Sequence, residues 1–459
     1  MTVNARSSRH YFSLEAFIAL ALFLGLAQLC SAYSVLTHEE VVDLLWKDDI
    51  QPLLLKRFPA ATPDDLTKAH AYAYGGCLVQ DMGYYPFGNK TFSDLTHYVR
   101  SGDFIVSLIN ESSDLNEYAF ALGALAHYSA DNIGHPTVNQ AVAIEFPKLR
   151  KKYGNEVTYA DDPKAHIRTE FGFDVTQVAK NRYTSDRYHD FIGFEVSKPV
   201  LERAFQDTYG IPLNDVISNE DLAIGTFRRA ISNILPEMTR VALVARKKEI
   251  VADTPNFNAR KFRYNLSRAS YQKEWGKGYR RPGFGTRFLA FVLKIVPKIG
   301  PFRALAFKIP TQKTEDLYIA SVNHTVDSYR GLLVEVGNKD LALTNTDFDT
   351  GRDTQAGEYP LTDKAYAYLL DKLAAHNFDN LTPDLRKNIL AFYSNPAAPL
   401  ATKKDAAAWQ KTQEELQRLK DLSPDQVPPT KATSTLEQVT GPDLSGDIQP
   451  ASVEGRDEQ

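Results

Sequence analysis

The side chains best suited to chemistry in this sequence are histidines and carboxylates spaced four residues apart. His127, Asp131 and His135 follow one another at this spacing, and His166 and Glu170 repeat it. Residues four apart share one face of a helix, so an imidazole and a carboxylate one turn apart can hold one divalent ion at about 2.0–2.2 Å. Because the set contains no thiol, the pattern favours zinc.

The neighbouring sequence indicates that the first of these helices is buried. Residues 119–126 read AFALGALA, and His127 and Asp131 continue the same apolar helix. For each pair taken alone, a surface ion pair is the ordinary alternative. Burying an unpaired charge, however, costs on the order of several kcal/mol, and metal coordination is one of the few ways to satisfy it. The apolar run therefore favours a metal site.

Residues 1–32 predict an export signal. Arg6 and Arg9 precede an apolar run of about 12 residues, and the small residues Cys30-Ser-Ala32 end it, as signal cleavage requires. The run is too short to span about 30 Å of hydrocarbon as a helix, which argues against a membrane anchor. A lipid-modified Cys30 is an alternative, although the bulky Leu29 precedes it. We expect cleavage after Ala32 and an exported protein, secreted or periplasmic.

Further candidates lie between the cleavage site and the AFALGALA helix. Cleavage would make Tyr33 the first residue, five positions before His38. Asp81 stands in an aromatic, glycine-rich turn, and His97 follows it. The chemistry of the chain is therefore concentrated in the first third of the mature sequence.

These motifs resemble the superfamily of zinc-dependent phospholipases C and single-strand nucleases, all-helical enzymes with three zinc ions in a cleft. The resemblance covers residues 33–180 and includes the aromatic first residue, a central His-x3-Asp motif followed by a histidine, and a final His-x3-Asp/Glu motif. It implies three metal sites. One zinc would bind Asp81, His97 and His127, a second the Tyr33 amine and carbonyl with His38, and a third His135, His166 and Glu170, with Asp131 bridging two zincs.

Two departures from the family pattern bear on the substrate. Tyr33 stands where tryptophan is usual, and three residues separate Asp131 from His135, where the compact secreted phospholipases have five. The shorter gap is more like the domain of glycosylphosphatidylinositol-specific phospholipase D, so the resemblance defines the substrate less closely. It also leaves open whether Asp81 ligates zinc or acts as the catalytic residue that orients the attacking water.

The elements that must position these residues are helices. Apolar residues at three- and four-residue spacing predict helices over 38–47, 116–131, 164–180, 222–250, 316–336, 363–376 and 383–393. Because long alternating strands are not evident, we predict an all-α, multi-helix fold with the zinc cluster in a cleft. Two cysteines in 459 residues exclude a disulfide scaffold, and a net charge of −4 excludes nucleic-acid binding by bulk charge alone.

Composition divides the chain into five predicted parts. They are a signal peptide at 1–32, a catalytic domain at 33–250, a basic, proline-interrupted apolar segment at 251–315, a helical C-terminal part at 316–395 that packs on the catalytic domain, and a short helix with a disordered tail at 396–459. The tail from Pro424 contains five prolines and no aromatic residue, which is typical of disorder.

The basic segment is the main sequence feature that bears on partners. Arg260–Lys313 contains 14 Lys and Arg but a single acid, Glu274, among large apolar side chains. This composition suits peripheral contact with an anionic bilayer. A basic helical pair packed on the rest of the protein is an alternative, and single-stranded nucleic acid is a third.

The sequence thus predicts a zinc-dependent phosphodiester hydrolase, because clustered zinc ions neutralise phosphate oxygens and lower the pKa of bound water toward about 7. The resemblance favours phospholipase C-type cleavage of phospholipid head groups. An exported nuclease or nucleotidase of the same superfamily is the alternative, as is a metal-stabilised binding domain without catalysis. The nucleases of the superfamily are typically disulfide-linked and this chain is not, so we expect no specific nucleic-acid partner.

Overall fold

The computed structural model describes residues 34–180, 193–235, individual positions between 238 and 252, and 306–423. The predicted signal peptide, Tyr33, most of the basic segment and the tail from residue 424 lie outside the described residues. The described chain is almost entirely helical, and the prediction of an all-α fold is confirmed. No helix within it is long and apolar enough to cross a bilayer.

The secondary structure is numbered here in chain order. The α-helices are α1 (Val35–Leu45), α2 (Gln51–Arg57), α3 (Pro63–Gly76), α4 (Lys90–Tyr98), α5 (Ser101–Glu111), α6 (Leu115–Glu145), α7 (Pro147–Tyr153), α8 (Pro163–Ala179), α9 (Lys198–Tyr209), α10 (Glu220–Arg229), α11 (Gln312–Asn338), α12 (Pro360–Ala375), α13 (Pro383–Phe392) and α14 (Ala406–Asp421). The two-residue strands β1 (Thr346–Asp347) and β2 (Arg352–Asp353) pair antiparallel. A 3₁₀ turn spans Val79–Tyr84.

Helix α6 has 31 residues and forms the centre of the described fold. The side chain of its N-cap, Asp114, accepts hydrogen bonds from the first free amides of the helix. The predicted helix over 116–131 continues to Glu145, because Pro136 removes only the hydrogen bond to the Asn132 carbonyl. The continuation keeps the whole His-Asp-His series on one helix.

Helix α3 crosses α6 at backbone contact because glycines line the crossing. A Cβ on Gly76 would lie 1.9 Å from the Phe120 carbonyl oxygen, and one on Gly123 would lie 2.0 Å from that of Ala73. No larger residue fits at either position without moving a helix. The close approach brings the end of α3 against the face of α6 that carries His127.

Helix α11 packs across α6 and reaches α1. The Tyr329 hydroxyl donates to the Leu122 carbonyl at 2.8 Å, and the Tyr318 and Thr37 hydroxyls lie 2.5 Å apart. The Tyr318 ring also stacks on Phe173 of α8, with 4.4 Å between ring centroids. Part of the predicted C-terminal region therefore contacts helices of the predicted catalytic domain, while the division of the chain at 250 and 315 stays a prediction.

The described end of the basic segment, residues 306–315, alternates between buried and exposed positions. Phe307 is buried, with its ring centroid 5.6 Å from that of Phe171 on α8. The Lys308 ammonium donates to the backbone carbonyl of Glu145 at the end of α6. Lys308, although exposed, is therefore also in contact with the body of the protein.

Candidate metal centre

The structure brings together eight of the nine predicted ligands, all buried, and the ninth, Tyr33, lies outside the described residues. They form three groups in which the ligand atoms lie within 4.8 Å of one another: His38 with His127 and Asp131, Asp81 with His97 and His127, and His135 with His166 and Glu170. Each group could hold one metal ion. The assignment of each residue as a ligand stays a prediction.

Four helices and one turn supply these side chains. Helix α6 carries the central series, α1 carries His38, and α8 carries His166 and Glu170. Asp81 comes from the 3₁₀ turn, and His97 lies in the last turn of α4. Helix α6 contributes to all three groups, with His127 in two of them, Asp131 beside His127 in one, and His135 in the third.

Three of the imidazoles are held by backbone carbonyls. In each, one ring nitrogen donates to a carbonyl oxygen and the other is aimed into the cluster, which is how metal-binding histidines are usually oriented. The pairs are His127 Nδ1 with the Cys77 carbonyl at 3.0 Å, His97 Nδ1 with that of Ser93 at 2.8 Å, and His166 Nε2 with that of Val157 at 2.6 Å.

The separations between nitrogen and oxygen atoms within the cluster match those between ligands of one zinc ion. Two ligands about 2.1 Å from a tetrahedral zinc are about 3.4 Å apart. Asp131 lies 3.4 Å from His38 Nε2 and 3.4 Å from His97 Nε2, and Asp81 Oδ1 also lies 3.4 Å from His97 Nε2. Glu170 Oε1 lies 3.3 Å from the Nδ1 atom of His166.

Histidine–aspartate pairs away from the cluster provide an internal comparison. His70 Nε2 lies 2.9 Å from Asp43, and His376 Nε2 lies 2.6 Å from Asp215. These are ordinary hydrogen-bond distances. The wider spacing is therefore a feature of the cluster, where only the pair of His127 and Asp131, at 3.0 Å, is as short as a hydrogen bond.

Several buried polar atoms of the cluster have no hydrogen-bond partner among the described residues, as expected where a metal binds. Neither carboxylate oxygen of Asp131 and neither ring nitrogen of His135 has such a partner among the described residues. Leaving these atoms unsatisfied in the protein interior costs on the order of 1–3 kcal/mol each, and more for a charge. A divalent cation satisfies carboxylate and imidazole together, so the donor set fits zinc.

Comparison with known proteins decides the family. The family model of zinc-dependent phospholipase C matches residues 37–219. Residues 37–219 belong to the zinc-dependent phospholipase C family. Comparison with curated proteins and with solved structures gives no match. Zinc dependence follows from the family, and the matched region contains every described member of the three groups.

The histidines of the candidate metal centre have pKa values on both sides of the ordinary value. Burial and the neighbouring His127 lower the pKa of His38 to about 4, and burial lowers that of His166 to about 4. Burial also acts to lower the pKa of His97, but Asp131 and Asp81 outweigh it and raise this pKa to about 10. Carboxylates thus hold protons on some imidazoles, and a bound metal would take the place of those protons.

Two buried aspartates near the candidate metal centre were not predicted from the sequence. Asp349 lies between β1 and β2, with its Oδ1 atom 3.3 Å from His135 Nε2. Its sequence signal is a run of acids around a glycine, Asp347-Phe-Asp349-Thr-Gly351, which carries no helical spacing. The second, Asp174 on α8, accepts hydrogen bonds from the Leu36 amide at 3.0 Å and from the Thr37 hydroxyl at 2.6 Å. It therefore holds the first turn of α1, just before His38.

A cavity of about 460 Å³ lies beside the candidate metal centre. Asn139, Tyr159 and Tyr359 line it, and each also contacts the centre or Asp349. Lys90, Arg352 and Lys364 bring positive charge to its wall, and Glu156, Asp161 and Glu358 bring negative charge. A cavity with both signs of charge next to a metal centre can accept an anionic phosphate together with a polar or cationic substituent.

Proposed function

We propose that this chain is a phospholipase C-type hydrolase that cleaves the head groups of phospholipids and holds three zinc ions. The observation that carries the proposal is the convergence of the three buried groups, in which the 3.4 Å separations of His38 from Asp131 and of Asp81 from His97 match those between ligands of one zinc ion. Bound zinc ions supply charge for the phosphate oxygens and acidify a water molecule, which is the chemistry that phosphodiester hydrolysis needs.

The residues of the chain divide this task among themselves. Asp131 would be shared between groups, because its two oxygens face His38 on one side and His97 and His127 on the other. The 3.4 Å separation between Asp81 and His97 supports a ligand role for Asp81 over a role limited to orienting water. The carbonyl partners of the imidazoles keep their second nitrogens directed at the cluster.

The cavity beside the centre supports a phospholipid head group as the substrate. Lys90 and Arg352 can attract a phosphodiester, while the acids that also line the cavity can receive the amine of a zwitterionic head group. Both cations also contact acids, Lys90 with Asp94 and Arg352 with Glu156 at 3.5 Å. Each of these two cations thus has an acid beside it before substrate arrives.

Export and membrane contact are part of the same proposal. The signal-like residues 1–32 support export, and the cations of the basic segment support contact with anionic lipid. Replacing Lys294, Lys298 and Arg303 with glutamine should weaken binding to anionic vesicles and leave hydrolysis of a short-chain soluble substrate unchanged. Equal loss on both substrates would mean that the segment supports the fold instead.

The test of function compares substrates with and without metal. Purified mature protein should hydrolyse phosphatidylcholine micelles, lose this activity in a chelator and regain it on addition of zinc. Single-stranded DNA provides the second arm, and cleavage of DNA in place of lipid would favour the nuclease alternative. Absence of both activities from protein that contains zinc would support a binding domain.

A matched pair of variants controls for folding. Asp81→Asn should abolish hydrolysis while the protein stays folded. Asp43→Asn changes an aspartate on α1 that pairs with His70 and belongs to none of the three groups, so its activity in micelles should stay within a few-fold of the wild-type value. If Asp81→Asn were fully active, the proposed centre would be wrong.

A further inference from the structure

The turn between β1 and β2 brings a carboxylate to the metal centre from outside the matched family region. Asp349 is fully buried, and its Oδ1 atom lies 3.3 Å from His135 Nε2 on α6. The family match ends at residue 219, far before this turn in sequence. The contact therefore joins two parts of the chain at one of the three groups.

The two oxygens of Asp349 have different surroundings. The hydroxyls of Tyr98 and Tyr359 both donate to Oδ2, the first at 2.9 Å. Oδ1 has no hydrogen-bond partner among the described residues, although it is buried beside an imidazole. Two tyrosines thus fix the carboxylate with one oxygen left for the centre.

Hydrogen bonds also hold the turn against two helices, through Asn139 of α6 and His97 of α4. The Asn139 side-chain amide donates to the Asp349 carbonyl at 2.8 Å, and the Phe348 amide donates to the His97 carbonyl at 3.2 Å. Gly351 has a φ of +65°, and a Cβ there would lie 2.5 Å from the Asn132 carbonyl oxygen. Pro136 has no amide hydrogen to donate to that carbonyl, so the turn approaches α6 where one helical hydrogen bond is missing.

The distance between Asp349 and His135 fits two ligands that share one metal ion. At 3.3 Å it exceeds an ordinary nitrogen–oxygen hydrogen bond and is close to the 3.4 Å or so expected between two ligands of a tetrahedral zinc. It also equals the separation of His166 and Glu170 in the same group. No hydrogen bond orients the His135 ring, because neither of its nitrogens has a hydrogen-bond partner in the described chain.

We propose that Asp349 is a ligand of the metal held by His135, so that a segment outside the phospholipase C family region completes the centre. The inference rests on the proposed zinc centre and adds a ligand to it. It also gives the C-terminal part of the chain a direct role in holding metal, through a residue that the helical motifs do not contain.

The first test compares Asp349→Asn with Asp347→Asn. Asp347 is a buried aspartate of the same turn whose oxygens accept from the Thr362 hydroxyl and the Thr350 amide. Zinc competition with a chromophoric chelator should show at least tenfold weaker binding at one site in Asp349→Asn, since loss of even an indirect partner typically costs 10–100-fold. Asp347→Asn should bind zinc as the wild type does.

Thermal unfolding with zinc and with chelator separates a ligand from a structural acceptor. If Asp349 is a ligand, Asp349→Asn should lower the melting temperature of the zinc-loaded protein and leave that of the chelated protein unchanged or raised, because a buried negative charge is removed. An equal decrease of the melting temperature with zinc and with chelator, at unchanged zinc affinity, would overturn the proposal. The Asp349 side chain would then act only as a hydrogen-bond acceptor for Tyr98 and Tyr359.

A third variant reports coordination directly. Asp349→Cys, loaded with cobalt, should show a thiolate-to-metal charge-transfer band that is absent from the wild type and from Asp347→Cys. Absence of this band from a folded, cobalt-loaded Asp349→Cys would count against coordination. His135→Ala distinguishes failure of Asp349 as a ligand from failure of the whole proposed metal centre. If it loses zinc while Asp349→Asn keeps it, this inference alone fails, and if neither variant affects zinc, the proposed centre fails.

Discussion

Asp131 is the carboxylate on which most of the cluster depends, and its replacement by asparagine is the most informative single change. Its oxygens lie 3.4 Å from His38, 3.4 Å from His97, 3.0 Å from His127 and 3.5 Å from His135. Asparagine keeps the size of the side chain but removes the negative charge. We therefore expect Asp131→Asn to fold, to bind less zinc and to lose hydrolytic activity.

The magnitude follows from the number of groups that Asp131 adjoins. It belongs to the group of His38 and His127, and it also lies beside His97 in the second group. If each of these two sites lost 100-fold in affinity, zinc that had been saturating would stabilise the fold by about 2.7 kcal/mol less per site. The sum, about 5 kcal/mol, equals the low end of the free energy of unfolding of a typical domain.

The assay combines zinc content by elemental analysis with thermal unfolding in zinc and in chelator. Zinc content should fall by about two ions per chain, and the melting temperature should fall in zinc but much less in chelator. Asp43→Asn is the matched control, because Asp43 is a buried aspartate that pairs with His70 outside the three groups. Near-normal zinc content and turnover in Asp131→Asn would refute the assignment of a shared ligand.

Three further predictions concern the helices around the centre. Gly123→Ala places a Cβ 2.0 Å from the Ala73 carbonyl oxygen, so the free energy of unfolding in urea should fall by about 1–3 kcal/mol, whereas Gly331→Ala, in open space on α11, should raise it by up to about 1 kcal/mol. Burial raises the pKa of Asp174 to about 6, so its neutral form stabilises the fold at pH 4, and this contribution of at most about 3 kcal/mol is lost as the pH rises through 6. Asp174→Asn should flatten this decrease in thermal unfolding between pH 4 and 7. Mass spectrometry of exported protein should find Tyr33 as the first residue, and residues added before it should lower zinc content while the protein stays folded.

Each of these predictions has an outcome that contradicts it. A Gly123→Ala variant as stable as the wild type would mean that the α3–α6 crossing can widen freely. A stability profile of Asp174→Asn that parallels the wild type between pH 4 and 7 would assign the slope to other groups. A mature chain that begins several residues earlier and still binds full zinc would remove the Tyr33 amine as a ligand.

The ligands that the sequence predicts best are those on helices. His127, Asp131 and His135 are spaced four residues apart, close to one helical turn. This local pattern therefore indicates that they share one face of a helix. The apolar run before His127 predicts burial, and α6 is buried along that stretch. His166 and Glu170 are predictable for the same reason.

Contacts between distant segments could not be predicted, because no periodic pattern encodes them. Asp349 reaches the centre through a turn whose position depends on a glycine at positive φ and on an open carbonyl in α6. Helix α4, which presents His97, has the sequence KTFSDLTHY, too short and too polar for its apolar spacing to stand out. The extent of α6 beyond residue 131 was underestimated, since Pro136 suggests an end that the helix does not have.

The contact between Thr37 and Tyr318 has a consequence for the order in which the protein folds. The two residues are 281 positions apart, and closing a loop of that length costs about 3 kcal/mol more chain entropy than closing one of ten residues. A ribosome completes every described ligand candidate of the family region long before it reaches α11. The first turn of α1, next to His38, therefore gains its contact with Tyr318 only after the last third of the chain has been made. A chain truncated before α11 would keep every described ligand candidate of the family region and lack both Asp349 and the Tyr318 hydroxyl that contacts the first turn of α1.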